Sequence, residues 1–417
     1  MQRAMWGLIA AVLIAVLDGG AAKAQDLKLL PGWSATVFAP GVGSARHLAV
    51  APNGDVYVRL RTAKGGGGVV ALRDEYGTGV ANREERFDKT GGTGITIWNG
   101  YLYISSDTAV YRYRLTEGKL VPEGEPETIV SGFPAQRVHA SKPLVIDTAG
   151  NLFVTIGAPS NACQLSDRQT RVKGQQPCVQ LAAAAGVWRF KADQPGQTFE
   201  KDGVRFATGI RNALALAWSR MAGGVFSVVH GRDQLNTLWP EYYSAQDNAE
   251  VPAEELIRLR DGGDYGWPYS YFDGRRKERM IAPEYGGDGR TAVKPGRYDG
   301  PLAAYPAHWA PNAIAFYETL SGPLSYRGGL LIAFHGSWNR APLPQAGYKV
   351  LYQAMKAGLP DGAPQVFADG FAGKPIVRNP AEAVARPTGI AVSNDGAVYI
   401  ADSQKGKIWK LTYQAEN

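Results

Sequence analysis

Histidine, arginine and asparagine recur where a surface loop would ordinarily use serine, glycine or aspartate. The stretch "AFHGSWNRAP" places His335, Trp338, Asn339 and Arg340 directly after the apolar run "GGLLIAF", which is typical of a buried strand. Arginine offers forked donors that match carboxylate or phosphate oxygens in pairs, and histidine accepts a proton near neutral pH. These residue types indicate a cationic site for an anionic ligand.

A repeated strand–turn–strand pattern must position these residues. It occupies residues 48–58, 95–104, 144–154, 215–228, 313–334 and 390–400, and several of its turns contain Asn-Gly, Asp-Gly or Gly-Gly. The six units are far enough apart for four short strands each, and radial repetition of four-stranded sheets is a β-propeller. We predict an all-β, six-bladed β-propeller with four-stranded blades. The alternatives are a β-sandwich and two smaller β domains.

In each hairpin, the start of the first strand and the end of the second lie at the same end. If the hairpins form the inner part of each blade, these ends surround one mouth of the central channel. The residues there include Arg46, Arg59, Arg61, Thr93, His139, Lys142, Asn161, Arg211, Asn212, "HGRD" (230–233), Asn312, "HGSWNR" (335–340), Arg386, Thr388 and "DSQKGK" (402–407). A ring of guanidinium groups suits a ligand with several carboxylates or phosphates.

The first 24 residues are typical of a secretory signal. A basic start and the apolar run "WGLIAAVLIAVL" precede an A-x-A site formed by Ala22 and Ala24. The alternative, a membrane anchor, needs an apolar run of about 20 residues. We therefore expect a periplasmic or secreted protein, a single propeller domain over residues 25–417 and no membrane span after cleavage. The formal charge of +7 is dispersed along the chain, which argues against nucleic-acid binding.

Cys163 and Cys178 are the only cysteines, and in an exported chain they predict one disulfide. Metal binding by the two thiols is the weaker alternative. No C-x-x-C-H haem motif is present, so an electron acceptor would be external. No Rossmann fingerprint or phosphate loop is present either.

The ordered motifs "HASKPLVIDTAGNLFVTIGAPSNAC", "GIRNALALAW", "GGDYGWPY", "FHGSWNR" followed by "GYKV", and "RPTGIAVSNDGAVYIAD" resemble the soluble quinoprotein glucose/sorbosone dehydrogenases, most closely the sorbosone branch. The resemblance spans nearly all of the mature chain. It implies a six-bladed propeller that uses pyrroloquinoline quinone (PQQ) and Ca²⁺, with the quinone taking hydride from a sugar or aldehyde.

The resemblance also implies roles for individual residues. His139 would be the general base, Arg211 and Asn212 would contact the quinone oxygens, and Gly231 and Arg232 would bind calcium through their carbonyl groups. Arg340 and Arg386 fall near residues that meet the cofactor carboxylates, and Arg46 is assigned to the same site from its hairpin end. Trp338 would cover the flat cofactor or a sugar face, or else belong to the core.

Three positions depart from the family's glucose-oxidising members. Val138 precedes His139 where those members have an acidic residue, so the sequence does not identify the group that orients the histidine. Arg232 replaces a proline, and His230 stands where Glu or Asn is common. These departures bear on the substrate and on the metal geometry.

The sequence therefore predicts a PQQ- and calcium-dependent oxidoreductase. Its substrate would be a small sugar or aldehyde, and a cytochrome or a quinone would accept the electrons. The alternatives are a calcium-dependent propeller lactonase or esterase and a non-catalytic ligand-binding propeller. Both would share the fold, and quinone-dependent reduction of a redox dye would distinguish the dehydrogenase from either.

Overall fold

The computed structural model describes residues 27–414, and in them six sheets of four or five strands surround a central channel. The predicted all-β, six-bladed β-propeller is confirmed. The signal peptide predicted at residues 1–24 lies outside the described residues. Among residues 27–414 no helix is both long and apolar enough to cross a membrane.

Each blade is a four-stranded antiparallel sheet whose first strand faces the channel. Blade 1 contains Ala45–Val50, Val56–Lys64, Gly67–Arg73 and Arg83–Phe87. Blade 2 contains Ile95–Trp98, Tyr101–Ser105, Ala109–Arg114 and Glu127–Ser131. Blade 3 contains Leu144–Ile146, Asn151–Ile156, Gly186–Lys191 and Val204–Thr208. Blade 4 contains Ala215–Ser219, Gly224–Val229, Glu254–Arg258 and Ala303–Tyr305. Blade 5 contains Pro311–Phe316, Leu330–Phe334, Lys349–Gln353 and Gln365–Asp369. Blade 6 contains Pro387–Val392, Val398–Asp402, Ile408–Tyr413 and Trp33–Ala39.

The remaining elements decorate the blades. Short fifth strands extend blades 2, 3 and 5, at Gln197–Thr198, Gly263–Asp264 and Lys28–Leu29 respectively. Two small hairpins pair Ser270–Asp273 with Glu278–Ile281 and Met355–Lys356 with Leu359–Pro360. The α-helices of the described residues are Phe199–Asp202, Leu235–Leu238 and Ala245–Glu250, and the 3-10 helices are Val179–Ala182, Pro283–Tyr285, Leu324–Tyr326 and Pro380–Glu382.

The second strand of the chain, Trp33–Ala39, closes the ring by completing the last blade. Trp33–Ala39 pairs antiparallel with the C-terminal strand Ile408–Tyr413, with Val37 opposite Trp409. Trp409 is fully buried and packs against Phe371 with ring centroids 5.2 Å apart. Burying a large apolar side chain contributes about 1.5–3 kcal/mol, so this closure fixes the two ends of the fold to each other.

The six predicted hairpins are the inner two strands of the six blades. Their first strands contact one another in sequence around the ring, and the last of them contacts the first. They line a channel cavity of about 320 Å³. The hairpin ends at the start of the first strand and the end of the second therefore share one mouth of this channel.

Candidate active site

Histidines connect different blades around this mouth. The Nε2 atoms of His47 and His230 each lie 2.8 Å from a main-chain carbonyl of the strand Pro311–Phe316, those of Asn312 and Pro311 respectively. His335 reaches from blade 5 to the Ser403 hydroxyl of blade 6 at 2.7 Å. Burial lowers the pKa of both His47 and His230 to about 4, so these histidines are neutral around pH 7.

His139 has a different hydrogen-bond pattern. Its Nδ1 lies 2.7 Å from the carbonyl oxygen of Ala158, and because a carbonyl only accepts, Nδ1 carries the proton and Nε2 keeps a free lone pair. Burial, and next the charge of Arg211, lower the pKa of His139 to about 3. The Ala158 carbonyl is thus the orienting group that the sequence did not identify. The imidazole of His139 is therefore neutral at physiological pH.

The backbone around His139 is unusually tight. Its φ is +51°, in the left-handed region that costs energy for a non-glycine residue. A Cβ on Gly157 would lie 2.6 Å from the Cβ of His139 and 3.4 Å from the side-chain oxygen of Asn212. Glycine at position 157 therefore lets His139 and the buried Asn212 approach each other. The structure brings these two predicted site residues together.

Arg211 is held beside them by the "HGRD" loop. Its Nη1 donates to the carbonyl oxygen of Gly231 at 2.9 Å, and its Nη2 donates to the Asp233 carboxylate at 2.7 Å. The Nε of Arg211 is buried without a partner. An unused buried donor carries a desolvation cost, so this N–H is available to an acceptor that enters the site.

The predicted disulfide between Cys163 and Cys178 is present, and it closes a loop beside Asp233. From this loop Arg168 donates to the Asp233 carboxylate at 3.0 Å. Asn161, just before the loop, exchanges two hydrogen bonds of 3.0 Å with the main chain of Asp233. The disulfide loop is therefore a wall of the site.

Three arginines form a second cationic group at the same mouth. Burial, and then the charges of Arg61 and Arg386, lower the pKa of Arg46 to about 10, and its Nε is buried without a partner. Arg61 is held by a bidentate pair with Asp107 at 2.5 and 2.8 Å. Mutually repelling guanidinium groups with an unused donor fit an anion with several carboxylates.

The loop "HGSWNR" is fastened mainly through main-chain carbonyls. Arg386 donates to the carbonyls of His335 and Gly336 at 3.1 and 2.7 Å, so it fixes this loop as well as charging the mouth. The Nη1 of Arg340 donates hydrogen bonds to the carbonyl oxygens of Ala249 and Ala307. Its predicted contact with a cofactor carboxylate stays a prediction.

Two side chains of that loop, those of Trp338 and Asn339, have different surroundings. Trp338 has 54% of its surface exposed, so it is not a core tryptophan, and it is free to cover a ligand. Asn339 donates to the Asp233 carboxylate at 2.8 Å.

The predicted calcium position consists of main-chain oxygens. The side chain of Arg232 turns into the protein, where it forms a bidentate pair with the buried Glu284 at 2.5 and 2.9 Å. Among residues 27–414 no group of three or more His, Cys, Asp or Glu side chains could hold a metal ion. The Gly231 carbonyl already accepts from Arg211 at 2.9 Å, so it would offer a metal ion only its second lone pair. Because Ca²⁺ takes six to eight oxygen ligands, the two carbonyls fit calcium only together with oxygens from a bound ligand and water.

Sequence reasoning missed several residues that organise the site. Asp233 and Arg168 gave no individual signal, although Asp233 lay within the "HGRD" motif. Glu254 accepts from the main-chain N–H groups of Gly231 and Ala310 at 2.9 and 3.0 Å, and burial raises the pKa of its carboxyl group to about 8. Their partners come from distant parts of the chain, so no local pattern could have identified them.

Comparison with known proteins agrees with this architecture. The model of a family described as TrAA12-like matches residues 27–273 and 289–414. The chain belongs to the TrAA12-like family. Its predicted resemblance to the PQQ-dependent soluble sugar dehydrogenases is confirmed, whereas its placement in the sorbosone branch stays a prediction.

Solved structures of similar fold cover almost the whole chain. A calcium structure of the Trichoderma reesei carbohydrate-active enzyme of family AA12 is 18% identical with a TM-score of 0.74, covering 93% of this chain and 97% of that one. The holo form of the pyranose dehydrogenase PQQ domain from Coprinopsis cinerea is 18% identical with a TM-score of 0.71 and the same coverage. The apo soluble aldose sugar dehydrogenase of Escherichia coli is 16% identical with a TM-score of 0.61, covering 92% and 100%.

Proposed function

We propose that this protein is a PQQ- and calcium-dependent oxidoreductase that oxidises a small sugar or an aldehyde and passes the electrons to an external acceptor. The observation that carries the proposal is His139, a neutral base with a free Nε2 in a mouth lined by arginines with unused donors. The names of the structural relatives, which include a PQQ domain, a calcium structure and sugar dehydrogenases, support the same chemistry.

Each residue has a defined task in this proposal. When bound, the quinone supplies a two-electron acceptor and the calcium ion supplies Lewis-acid polarisation. His139 would accept at Nε2 the proton of the hydroxyl group that is oxidised, which for an aldehyde substrate is a hydroxyl group of its hydrate. Arg211 and Asn212 hold the cofactor oxygens, and the charge of Arg211 stabilises negative charge that develops beside it. Arg46 and Arg386 bind the cofactor carboxylates, and the carbonyls of Gly231 and Arg232 bind the metal ion.

The proposed location is the periplasm or the cell exterior. The Cys163–Cys178 disulfide supports an oxidising compartment. The cleavable signal at residues 1–24 remains a prediction, and the identity of the acceptor, a cytochrome or a quinone, is part of the proposal.

The function is tested by reconstitution. Apo-protein mixed with PQQ and Ca²⁺ should reduce a redox dye with at least one member of an aldose and aldehyde panel. A chelator should abolish this activity and added calcium should restore it. Ester or lactone cleavage without quinone would instead support the hydrolase alternative. Absence of both activities and of quinone binding would contradict the proposal.

We expect cofactor affinity to depend on the arginines of the mouth. A hydrogen bond to a charged group contributes about 1.5–3 kcal/mol, so Arg46→Gln and Arg386→Gln should each weaken quinone binding about tenfold or more. Arg340→Gln tests the third predicted contact in the same way. Quinone titration of apo-protein measures all three dissociation constants.

Arg83→Gln is the matched control, because it removes the same charge from the outer strand of blade 1, where Arg83 pairs with Glu85. Its affinity should equal that of the wild type. If Arg46→Gln and Arg386→Gln also bind quinone like the wild type, the cationic mouth is not the cofactor site.

A further inference from the structure

The Asp233 carboxylate is the point where loops of three blades meet. Its oxygens accept from Arg211 at 2.7 Å, from Asn339 at 2.8 Å and from Arg168 at 3.0 Å. The Nδ1 of His308 lies 4.0 Å away. The donors come from the connection between blades 3 and 4, the "HGSWNR" loop and the disulfide loop. One side chain thus sets the relative positions of three walls of the site.

Asp233 itself is fixed through its main chain. The side-chain amide of Asn161 accepts from the N–H of Asp233 and donates to its carbonyl oxygen, both at 3.0 Å. Asn161 is in turn fixed, because its own N–H donates to Asp167 at 2.8 Å. A carboxylate whose backbone is clamped in this way is a rigid anchor for the groups that donate to it.

Arg211 is the partner whose orientation this anchor determines. Two of its N–H groups are directed to a single short loop, one to the Gly231 carbonyl and one to the Asp233 carboxylate. Two bonds from a planar guanidinium fix the plane as well as the position of the group. The orientation leaves the buried Nε of Arg211 without a partner.

The backbone around Asp233 adopts conformations that the local sequence disfavours. Gln234, Arg168 and His308 all have positive φ values, of 59°, 60° and 64°. Such conformations persist where surrounding contacts over-determine them, and they concentrate at functional sites. Three loops at Asp233 thus each carry a residue in a conformation that its local sequence disfavours.

We propose that Asp233 is a positioning residue that orients the Arg211 guanidinium toward the reacting atoms. The inference rests on the proposed function, since it assigns Asp233 an effect on the step in which Arg211 takes part. It differs from a purely structural role, in which Asp233 would only neutralise buried positive charge. A structural role predicts lost stability with unchanged chemistry in the molecules that remain folded.

A double-mutant cycle separates these two roles. Asp233→Asn should slow single-turnover quinone reduction about tenfold or more in the quinone-loaded protein. In an Arg211→Gln background the same substitution should change the rate by less than about twofold, because the group on which it acts is already absent. An equal rate loss in both backgrounds would overturn the inference.

Two further variants control for charge and for stability. Asp233→Glu keeps the negative charge but displaces it by one methylene, so its rate should fall while its melting temperature changes less than that of Asp233→Asn; it also serves if Asp233→Asn does not fold. Asp88→Asn removes a carboxylate from another buried ion pair, the one with Arg59 in blade 1. It should lose stability and keep the wild-type rate. A wild-type rate in Asp233→Glu would contradict positioning.

A spectroscopic readout on apo-protein needs no activity. The Nε–Hε signal of Arg211, assigned by its loss in Arg211→Gln, should shift and broaden in Asp233→Asn and stay unchanged in Asp88→Asn. An unchanged signal in Asp233→Asn would refute the inference. If wild-type protein fails to bind or reduce quinone, the proposed function fails, and this measurement alone then decides whether Asp233 orients Arg211.

Discussion

His139→Asn is expected to lower turnover about 10²–10⁴-fold, which is the usual contribution of a positioned general base. Asparagine is a close steric match for the part of the imidazole that matters structurally. In the wild type, Nδ1 of His139 lies 2.7 Å from the Ala158 carbonyl oxygen. The amide nitrogen of asparagine occupies the place of Nδ1 and can still donate to this oxygen. The variant thus removes the Nε2 lone pair and little else.

The backbone supports the choice of asparagine. The φ of His139 is +51°, and asparagine tolerates the left-handed region better than most residues. We therefore expect the melting temperature and the quinone affinity of His139→Asn to remain close to those of the wild type. Loss of turnover without loss of binding is the signature of a base and not of a residue that merely fastens a strand.

The pH dependence has a definite sign. Because burial and the charge of Arg211 lower the pKa of His139 to about 3, the free protein keeps the base unprotonated throughout about pH 5–8. Quinone affinity measured across this pH range should therefore show no change that is due to protonation of His139. The same shift means that the unfolded chain takes up a proton that the folded one does not, so His139 lowers stability as the pH falls below 6.5.

Single-turnover quinone reduction, quinone titration and thermal unfolding on the same preparation check this prediction. His47→Gln is a suitable control, since His47 is also buried at the mouth but uses its Nε2 to contact the Asn312 carbonyl. Its rate should stay within about threefold of the wild type. If His139→Asn reduces quinone at the wild-type rate, His139 has no part in the proton transfer.

The blade architecture was predictable because the inner strands carry a local signal. A hairpin such as Ile95–Trp98 with Tyr101–Ser105 places apolar strands on either side of an Asn-Gly turn. Closure of the ring was not predicted. Trp33–Ala39 pairs with Ile408–Tyr413 across almost the whole chain, and no turn connects the two strands to reveal their pairing.

The site was predictable to the extent that it consists of hairpin ends. The positions of the hairpin ends along the sequence are sufficient to place His139 and Arg211 at the mouth, but they do not distinguish one arginine from another. Arg59 occupies an equivalent position, yet it is fully buried and bonds to Asp88 and to the carbonyls of Gly68 and Ser105. Arginines of identical local context divide between the core and the site according to partners contributed by other blades.

Contacts made by main-chain carbonyls cannot be predicted from residue types, because every residue has the same carbonyl group. The Ala158 carbonyl orients His139, and any residue at position 158 would supply the same oxygen. The resemblance likewise assigned Arg232 a role through its carbonyl, which says nothing of its side chain. The structure shows that this side chain forms a buried ion pair with Glu284.

That ion pair gives the second large expected effect. Arg232→Met should cost about 3–5 kcal/mol in the free energy of unfolding, because it leaves the Glu284 carboxylate buried without its counter-charge. Glu284 also accepts from the indole N–H of Trp239 at 3.0 Å, so Glu284→Gln keeps an acceptor for Trp239. The double variant Arg232→Met/Glu284→Gln removes both charges and should recover most of the lost stability.

Denaturant unfolding of the wild type, Arg232→Met and the double variant measures these differences. The double variant also tests the proposed metal ligands, since it is the stable form in which the Arg232 side chain is absent. Calcium binds there, on the proposal, through the carbonyl oxygens of residues 231 and 232, so the calcium concentration that half-restores activity after chelation should stay within a few-fold of the wild-type value. A change of side chain leaves the main-chain oxygen ligands in place. If calcium affinity falls by more than about tenfold in a fully folded double variant, calcium binding depends on the Arg232 side chain.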